Sequence, residues 1–226
     1  MLRRRLDQLS SGSPTADLGD ILVFAGPGAG KTLGALLGFS SMRREGHLDQ
    51  FVVFCHRTSI LEQWKQAAAG LGLCLKEWPC TDAAAKAADG LLVTYQGAGR
   101  QLKPLQQQLG QLQADRCMAI ADEAHHLGLD PEDPKAPAWG QTFQALTESF
   151  RLRVGLTGTP FRADNLGFCA ARRIRIVQDG MVMEQIRPDL CVEPRDLIAA
   201  GDVRPLEFRF QDGWVEHSRE GMPDRD

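Results

Sequence analysis

The chain has 226 residues, of which 43% are hydrophobic and 24% are charged, and its formal net charge is −3 at pH 7. This hydrophobic content suits a folded core and argues against a disordered chain, and the slightly negative charge excludes a general electrostatic attraction to nucleic acid or to anionic membranes. No apolar run approaches the ~20 residues that a membrane-spanning helix needs, and no apolar segment typical of a signal peptide follows the basic N-terminus. We therefore expect a cytoplasmic protein with no membrane partner.

Short apolar runs recur along the chain after a polar N-terminal segment. Residues 1–19 are polar, with several Ser and Gly towards their end, and are predicted to form a flexible segment. The apolar runs that follow lie at residues 21–24, 51–54, 91–93, 118–120 and 154–156. Each run is too short for a helix and is apolar on both faces, which is typical of parallel strands covered on both sides by helices.

Helical patterns alternate with these strands. They cover residues 32–42, 59–69, 102–112 and 142–150. Strand–helix alternation predicts an α/β fold whose parallel sheet has right-handed crossovers and is flanked by helices. Ligands of such sheets bind outside the carboxyl ends of the strands, so polar residues that follow the strands are the candidate site.

The C-terminal part has a different pattern. Two alternating runs within residues 172–183 are separated by Asp179-Gly180, which predicts a small β-hairpin. A short helix over residues 194–200 and a strand over 206–210 are expected next. We predict one domain over residues 20–212, between the flexible segment 1–19 and a frayed tail over 213–226.

The six cysteines indicate neither a zinc site nor disulfides. None forms a CxxC pair, and their spacing matches no zinc-ligand set. Cys55 and Cys117 lie inside apolar runs, where free cysteine behaves as a small hydrophobic residue. We expect both side chains to be buried.

A glycine-rich loop joins the first predicted strand to the first predicted helix. Glycine lets backbone N–H groups turn inward around phosphate oxygens, and the helix N-terminus adds its positive dipole end. Lys31 would reach the β- and γ-phosphates, and the Thr32 hydroxyl would bind Mg²⁺. The strict pattern begins with Gly, where this chain has Ala25. The predicted phosphate-binding residues are Gly26, Pro27, Gly28, Ala29, Gly30, Lys31 and Thr32.

An acidic pair follows the fourth predicted strand. Asp122 would hold Mg²⁺, directly or through water, and Glu123 would orient and deprotonate an attacking water. His125 and His126 follow the pair. Adjacent histidines point apart and no third ligand is evident, so a coupling or hydrogen-bonding role fits His125 better than metal binding.

A third motif, Thr157-Gly158-Thr159, follows the fifth predicted strand. Its two hydroxyls flank a glycine and could hydrogen-bond the acidic motif and sense the γ-phosphate. Alone, the motif is equally consistent with a plain turn.

Together, GAGKT at residues 28–32, DEAHH at 122–126 and TGTPFR at 157–162 resemble the first RecA-like domain of superfamily 2 helicases and translocases. The similarity is greater to the DEAH-like helicases and the type III restriction subunit group than to the DEAD-box RNA helicases. Alanine at position 25 is common in this family. The resemblance covers about residues 20–210 and implies a RecA-like P-loop NTPase fold with ATP and Mg²⁺ as cofactors.

The resemblance extends to two further segments. Residues 53–64 look like motif Ia, and residues 92–96 look like a later motif that also touches nucleic acid. The resemblance implies contacts to a sugar-phosphate backbone, and we favour DNA over RNA; short hydroxyls and arginine suit phosphate positioning rather than base reading. Each residue alone is equally consistent with a solvated loop. The implied nucleic-acid contacts are Arg57, Thr58, Thr94 and Gln96.

The basic residues of the predicted hairpin allow two interpretations. Arg172, Arg173 and Arg175 could form a local patch for nucleic acid. A charged edge strand that resists aggregation is at least as plausible.

Two features of the family have no clear counterpart in this sequence. A glutamine motif before the P-loop reads adenine in the family; Gln8 is the only upstream candidate and fits poorly, so adenine selectivity stays open. The second RecA-like domain, which carries arginine fingers and half of the nucleic-acid track, is not found in these 226 residues.

We therefore predict an ATP hydrolase of the helicase type, the N-terminal half of a DNA helicase or translocase, which is incomplete as an isolated chain. Hydrolysis is expected to be weak without the second domain, which either belongs to a separate chain or is missing because the gene is truncated. Two alternatives stay open. One is a non-catalytic, nucleotide-gated nucleic-acid-binding module that works with a partner chain, and the other is the motor fragment of a restriction system.

Overall fold

The structure is a computed structural model that describes residues 1–11, 19–128, 138–159, 168–171, 173–178 and 180–203. In chain order these residues form α1 (Leu2–Ser10), β1 (Asp20–Ala25), α2 (Lys31–Arg44), β2 (Gln50–Cys55), α3 (Thr58–Ala69), β3 (Leu75–Glu77), α4 (Asp82–Ala87), β4 (Gly90–Thr94), α5 (Tyr95–Arg100), α6 (Leu102–Leu109), β5 (Cys117–Asp122), α7 (Ala138–Thr147), β6 (Leu152–Thr157), β7 (Arg173–Gln178), β8 (Met181–Ile186), β9 (Leu190–Val192) and α8 (Pro194–Ala200). Short 3-10 turns cover Ala114–Arg116 and Ala124–Leu127. Within the described ranges, no helix is both long and apolar enough to cross a membrane.

Seven of the strands form one sheet in the order β3-β4-β2-β5-β6-β1-β9. Every neighbouring pair in this sheet is parallel. β7 and β8 form a separate antiparallel hairpin. The predicted RecA-like α/β fold with a small C-terminal hairpin is confirmed.

The central strands are mostly apolar because helices cover both faces of the sheet. In β2, Val52 and Phe54 belong to the hydrophobic cluster on one face, while Phe51, Val53 and Cys55 belong to the cluster on the other. This double burial explains why five short apolar runs sufficed to predict five strands. The predicted burial of Cys55 is also confirmed.

Cys117 is buried as well, at the start of β5. Burial raises the pKa of its thiol to about 12, so the side chain stays protonated and acts as a small apolar residue.

The N-terminal residues require a correction. Residues 2–10, expected to be part of a flexible segment, form helix α1. Leu6 is fully buried against the sheet, and Leu2 and Leu9 pack beside it, so the three leucines form one apolar helical stripe. Arg5 pairs with Asp189 in the stretch before β9, which ties α1 to the far end of the chain. The basic residues between the leucines concealed this stripe.

Other differences concern short or peripheral elements. β3, β9, α4 and α5 were not predicted, and α7 begins four residues earlier than the pattern indicated. The predicted strand over 206–210, the tail over 213–226 and the hairpin residue Asp179 lie outside the described residues. The proposed domain boundaries stay a prediction.

Gly90, at the start of β4, offers a test of the packing. A Cβ there would lie 2.8 Å from the carbonyl oxygen of Phe51 and 2.8 Å from the side chain of Leu75. Because the backbone of an interior strand cannot yield, Gly90→Ala should lower the free energy of unfolding by about 1–3 kcal/mol in urea titrations. Gly34→Ala, in α2 with open space around it, should be neutral or stabilise by up to about 1 kcal/mol. Equal unfolding midpoints for the two variants would contradict this packing.

Candidate nucleotide-binding site

The glycine-rich loop connects the end of β1 to the start of α2, at the carboxyl edge of the sheet. Gly28 and Gly30 have φ angles of 79° and 71°, in the left-handed region that glycine adopts without strain. Gly30 is also the N-cap of α2. The loop therefore turns sharply and presents the helix N-terminus to the cleft above the sheet, as phosphate binding requires.

The Lys31 ammonium folds back over this loop. Its Nζ donates hydrogen bonds to the carbonyl oxygens of Ala25 at 2.9 Å and Gly26 at 3.2 Å. A Cβ added to Gly158 would lie 4.0 Å from the same Nζ. The third motif is therefore packed directly beside the lysine of the first.

One cleft of about 410 Å³ brings the predicted metal ligands together with the predicted phosphate-binding residues 28–32, and its lining does not include Gly26 or Pro27. Its lining combines the loop, the start of α2, part of α3 and the acidic pair, namely Gly28, Ala29, Gly30, Lys31, Thr32, Leu33, Ile60, Gln63, Ala67, Asp122 and Glu123. The hydroxyl of Thr32 and the carboxylates are oxygen ligands of the kind that Mg²⁺ prefers. The residues present therefore fit a phosphate group together with Mg²⁺.

Asp122 ends β5 and is held by hydrogen bonds on all its oxygens. Trp64 Nε1 donates to Oδ2 at 2.9 Å, the backbone N–H of Glu123 donates to Oδ1 at 3.1 Å, and the Tyr95 hydroxyl donates to the carbonyl oxygen at 2.7 Å. Sequence reasoning missed both aromatic residues. The only signal in the sequence is that both lie in the two segments that resemble nucleic-acid-contacting motifs, residues 53–64 and 92–96.

Glu123 has φ 50° and ψ 52°, a left-handed conformation that is uncommon outside glycine. Among the described residues it is the only one other than glycine with a positive φ. Such strain is concentrated at functional sites. Here it directs the chain away from β5 immediately after Asp122, at the wall of the cleft.

His125 links the acidic motif to the third motif. Its Nδ1 lies 3.0 Å from Thr157 Oγ1 and 3.3 Å from Glu123 Oε2. Thr157 donates its only hydroxyl proton to the carbonyl oxygen of Thr159 at 2.6 Å, so it accepts from His125, and Nδ1 carries a proton. The Thr159 N–H also donates to Thr157 Oγ1, at 3.1 Å. The expected hydrogen bond between the second and third motifs is present in the structure.

Three histidine rings lie in contact next to this link. The ring centres of His126 and His56 are 4.3 Å apart, and those of His126 and His125 are 4.2 Å apart. Burial lowers the pKa of His56, and the charges of Arg57 and His125 lower it further. In the described part of the chain, no three His, Cys, Asp or Glu side chains are grouped so that they could hold a metal ion. The rings of His125 and His126 lie close together, contrary to the expectation that adjacent histidines point apart.

The predicted nucleic-acid contacts gather on the same edge of the sheet. β2 and β4 are parallel neighbours, with Cys55 opposite Thr94, so the residues that follow the two strands lie side by side. Arg57 and Thr58 are exposed at the start of α3. Thr94 Oγ1 accepts from the Gly97 N–H at 3.0 Å and caps α5, which contains Gln96.

Two other predicted groups lie apart from this edge or outside the described residues. Gln8 lines a separate cavity with Arg4 and Arg187, and neither cleft that borders the glycine-rich loop contains it. The second of those clefts, of about 450 Å³, is mainly apolar and runs between α1, α2 and β9. Arg175 is exposed on the hairpin, and Arg172 lies outside the described residues.

Comparison with known proteins relates the chain to a family. The sequence profile of the family "Type III restriction enzyme, res subunit" matches residues 5–162. An uncharacterized protein of Mycobacterium leprae is 29% identical over 196 residues, which is 86% of this chain and 31% of that protein. An uncharacterized protein of Mycobacterium tuberculosis is 29% identical over 198 residues, with the same shares. The chain spans about a third of the length of these relatives.

Similar solved structures include the Sulfolobus solfataricus SWI2/SNF2 ATPase core in complex with dsDNA, with a TM-score of 0.49 and 22% identity over 74% of this chain and 34% of that one. Another is the Pyrococcus furiosus Hef helicase domain, with a TM-score of 0.49 and 15% identity over 72% of this chain and 34% of that one. The family match covers well over half of the chain, and its three motifs meet at one sheet edge. The chain belongs to the type III restriction enzyme res subunit family and forms a helicase-like motor domain.

Proposed function

We propose that the chain binds ATP with Mg²⁺ and hydrolyses it, as the N-terminal half of a superfamily 2 motor that acts on DNA. The observation that carries this proposal is the single cleft that Lys31, Thr32, Asp122 and Glu123 line together. This cleft contains groups suited to bind a phosphate chain, a divalent cation and an attacking water.

The residues divide the chemistry between them. Thr32 and Asp122 would hold Mg²⁺, which supplies charge neutralisation on the phosphate oxygens when bound. Lys31 would leave its two loop carbonyls and neutralise the γ-phosphate. Glu123 would orient the attacking water and accept its proton. Gly26, Gly28, Ala29 and Gly30 would supply inward-facing N–H groups, and Pro27, which has no N–H, would contribute to the turn.

The contact between His125 and Thr157 supports a coupling role for both residues. His125 Nδ1 lies within reach of both Glu123 and Thr157, so a shift of the third motif would alter the hydrogen bonding of the proposed base. Thr159, bonded to Thr157, would move with it. We propose that these contacts transmit the state of the γ-phosphate.

DNA would bind along the edge formed after β2 and β4. Arg57 and Thr58 are exposed there, and Thr94 and Gln96 are half-buried beside them. Hydroxyl, amide and guanidinium groups of this kind suit contacts to phosphate and sugar. We propose DNA as the polymer, since one similar structure is described as a complex with dsDNA.

The 226 residues alone should bind Mg-ATP but hydrolyse it slowly. Arginine fingers increase such rates by about 10³–10⁵, and the family places them on a second RecA-like domain. Calorimetry would measure binding, and phosphate release with single-stranded DNA, duplex DNA and RNA would measure turnover. Robust DNA-stimulated turnover by the purified monomer would contradict this expectation, and absence of Mg-ATP binding would refute the proposed function.

A second candidate function follows from the family's name. The chain could drive a restriction system whose nuclease and second motor domain lie elsewhere in the protein or in a partner chain. Addition of such a partner should then raise ATP turnover. A chain that binds nucleotide and DNA, yet shows no turnover with any partner, would instead be a nucleotide-gated binding module.

A further inference from the structure

Two buried hydrogen bonds connect Asp122 to the two segments that carry the predicted nucleic-acid contacts. Trp64 belongs to α3, which begins at Thr58. Tyr95 lies directly between Thr94 and Gln96 at the start of α5. Trp64 donates to the Asp122 carboxylate, and Tyr95 donates to its backbone carbonyl.

We propose that Trp64 and Tyr95 are positioning residues that fix the Asp122 carboxylate and couple it to nucleic acid bound at α3 and α5. The inference rests on the proposed function, because it assigns Asp122 to Mg²⁺ and this edge to nucleic acid. It adds two residues that touch neither the nucleotide cleft nor solvent.

Burial makes both hydrogen bonds effective as mechanical links. Trp64 is 0% exposed and Tyr95 is 2% exposed, so water cannot replace either donor. In such surroundings a hydrogen bond is stronger than in water, and an unpaired acceptor is costly. The bond from Trp64 is charge-assisted, since its acceptor is a carboxylate. If either ring shifts, Asp122 has to move with it or the hydrogen bond is lost.

The two rings are themselves held firmly by their elements. Thr58 and Trp64 lie six residues apart in one helix, so a displacement at its N-terminus is carried about 9 Å to the indole. The Tyr95 ring stacks with those of Phe54 and Trp139, with ring centres 6.5 Å and 5.9 Å apart. Packed aromatic side chains of this kind move with their backbone rather than independently.

The Asp122 carboxylate has little freedom of its own. One oxygen accepts from Trp64, and the other accepts from the N–H of Glu123. Loss of the indole donor leaves the carboxylate held only by the N–H of Glu123 on Oδ1, so its orientation is less fixed. The loss should therefore affect Mg²⁺-dependent binding of ATP more than binding of ATP itself.

Titration calorimetry on the 226-residue chain would test the proposal, with Trp64→Phe and Tyr95→Phe as variants. ATP affinity is measured with Mg²⁺ and with EDTA, each with and without a single-stranded oligothymidine. The gain in ATP affinity on adding Mg²⁺ should fall by about tenfold or more for Trp64→Phe and about threefold for Tyr95→Phe, whose lost bond is to a neutral carbonyl. In both variants the oligonucleotide should no longer change the Mg-ATP affinity.

Trp78→Phe is the matched control. Trp78 is buried next to α5: a Cβ added to Gly97 would lie 3.8 Å from its ring. Trp78→Phe therefore loosens the packing of the same helix without removing a hydrogen bond to Asp122. It should leave the Mg²⁺ gain and the oligonucleotide effect as in the wild type. Thermal unfolding of all three variants would confirm that they fold.

The outcomes separate the two proposals. A wild-type chain that binds no Mg-ATP refutes the proposed function and this inference together. Suppose that the wild type binds Mg-ATP. If Mg²⁺ then raises the ATP affinity of Trp64→Phe and Tyr95→Phe as much as that of the wild type, the positioning role alone is overturned. The same holds if Trp78→Phe loses as much of this increase as they do. A wild type whose Mg-ATP affinity ignores the oligonucleotide overturns the coupling.

Discussion

Lys31→Ala is expected to weaken Mg-ATP binding by at least about tenfold and up to about a hundredfold, because a charge-assisted contact to phosphate is lost. The ammonium lies in the proposed nucleotide cleft and is already desolvated in part by the carbonyls of Ala25 and Gly26. Exchange of these neutral acceptors for phosphate oxygens is therefore strongly favourable. Titration calorimetry of ATP in the presence of Mg²⁺ would measure the loss.

Lys65→Ala is the control for charge removal. Lys65 pairs with Glu77 at 2.9 Å on the outside of α3, where an exposed ion pair contributes about 0–1 kcal/mol to stability. The affinity of this variant for Mg-ATP should equal that of the wild type. Unchanged affinity in Lys31→Ala as well would refute the assignment of the phosphate-binding loop.

The core of the fold could be predicted because its physical cause is local. A strand such as β2 is buried on both faces from Phe51 to Cys55 and is apolar at each of these positions, so it leaves an apolar run in the sequence. The motifs that follow β1, β5 and β6 were equally visible, since parallel strands place their carboxyl ends on one edge. Adjacent positions in the sheet order then brought Lys31, Asp122 and Thr157 together.

Short peripheral elements could not be predicted for the opposite reason. β3 and β9 have three residues each, too few to show a period. Both lie at the edges of the sheet, where burial is partial and the apolar pattern is weak. Helix α1 was concealed because Arg3, Arg4 and Arg5 separate its first two leucines, which hides the apolar stripe in the sequence.

The hydrogen bonds of Asp122 were hidden by distance along the chain. Trp64 and Asp122 are 58 residues apart, and Tyr95 and Asp122 are 27 apart. Trp64 showed only helical spacing with Leu61, which indicates a core position and not a donor aimed at a carboxylate. Which donor meets which acceptor depends on the strand order, and the sequence pattern does not encode that order.

The poor fit of Gln8 to an adenine-reading glutamine motif agrees with its position in the structure. Gln8 lines a cavity beside Arg4 and Arg187, and the apolar cleft next to the loop is bordered by the start of α1 instead. The amide of Gln8 therefore does not face the glycine-rich loop, and Gln8 is not placed to read the base of a nucleotide bound there. Competition between nucleotides would measure base selectivity.

Glu123→Gln is expected to lower ATP hydrolysis by about 10²–10⁴, the usual contribution of a general base, while Mg-ATP binding stays within about threefold. Glutamine has nearly the same shape and retains an oxygen that can accept from His125, whose Nδ1 lies 3.3 Å from Glu123 Oε2. The substitution removes the basic carboxylate with little change in the strained backbone. Phosphate release over long incubations, with calorimetry on the same samples, would measure both quantities.

Two further variants show whether the loss of hydrolysis in Glu123→Gln is the loss of a general base. Glu62→Gln removes an exposed carboxylate on α3, 3.9 Å from Lys65, and should hydrolyse ATP at the wild-type rate. Asp122→Asn should instead reduce the Mg²⁺-dependent gain in ATP affinity, because it weakens a metal ligand and not a base. If Glu123→Gln loses binding and hydrolysis in proportion, Glu123 contributes to nucleotide or metal binding, and the water would have to be activated by another group. A loss confined to hydrolysis identifies the residue after Asp122, held in its left-handed conformation, as the base.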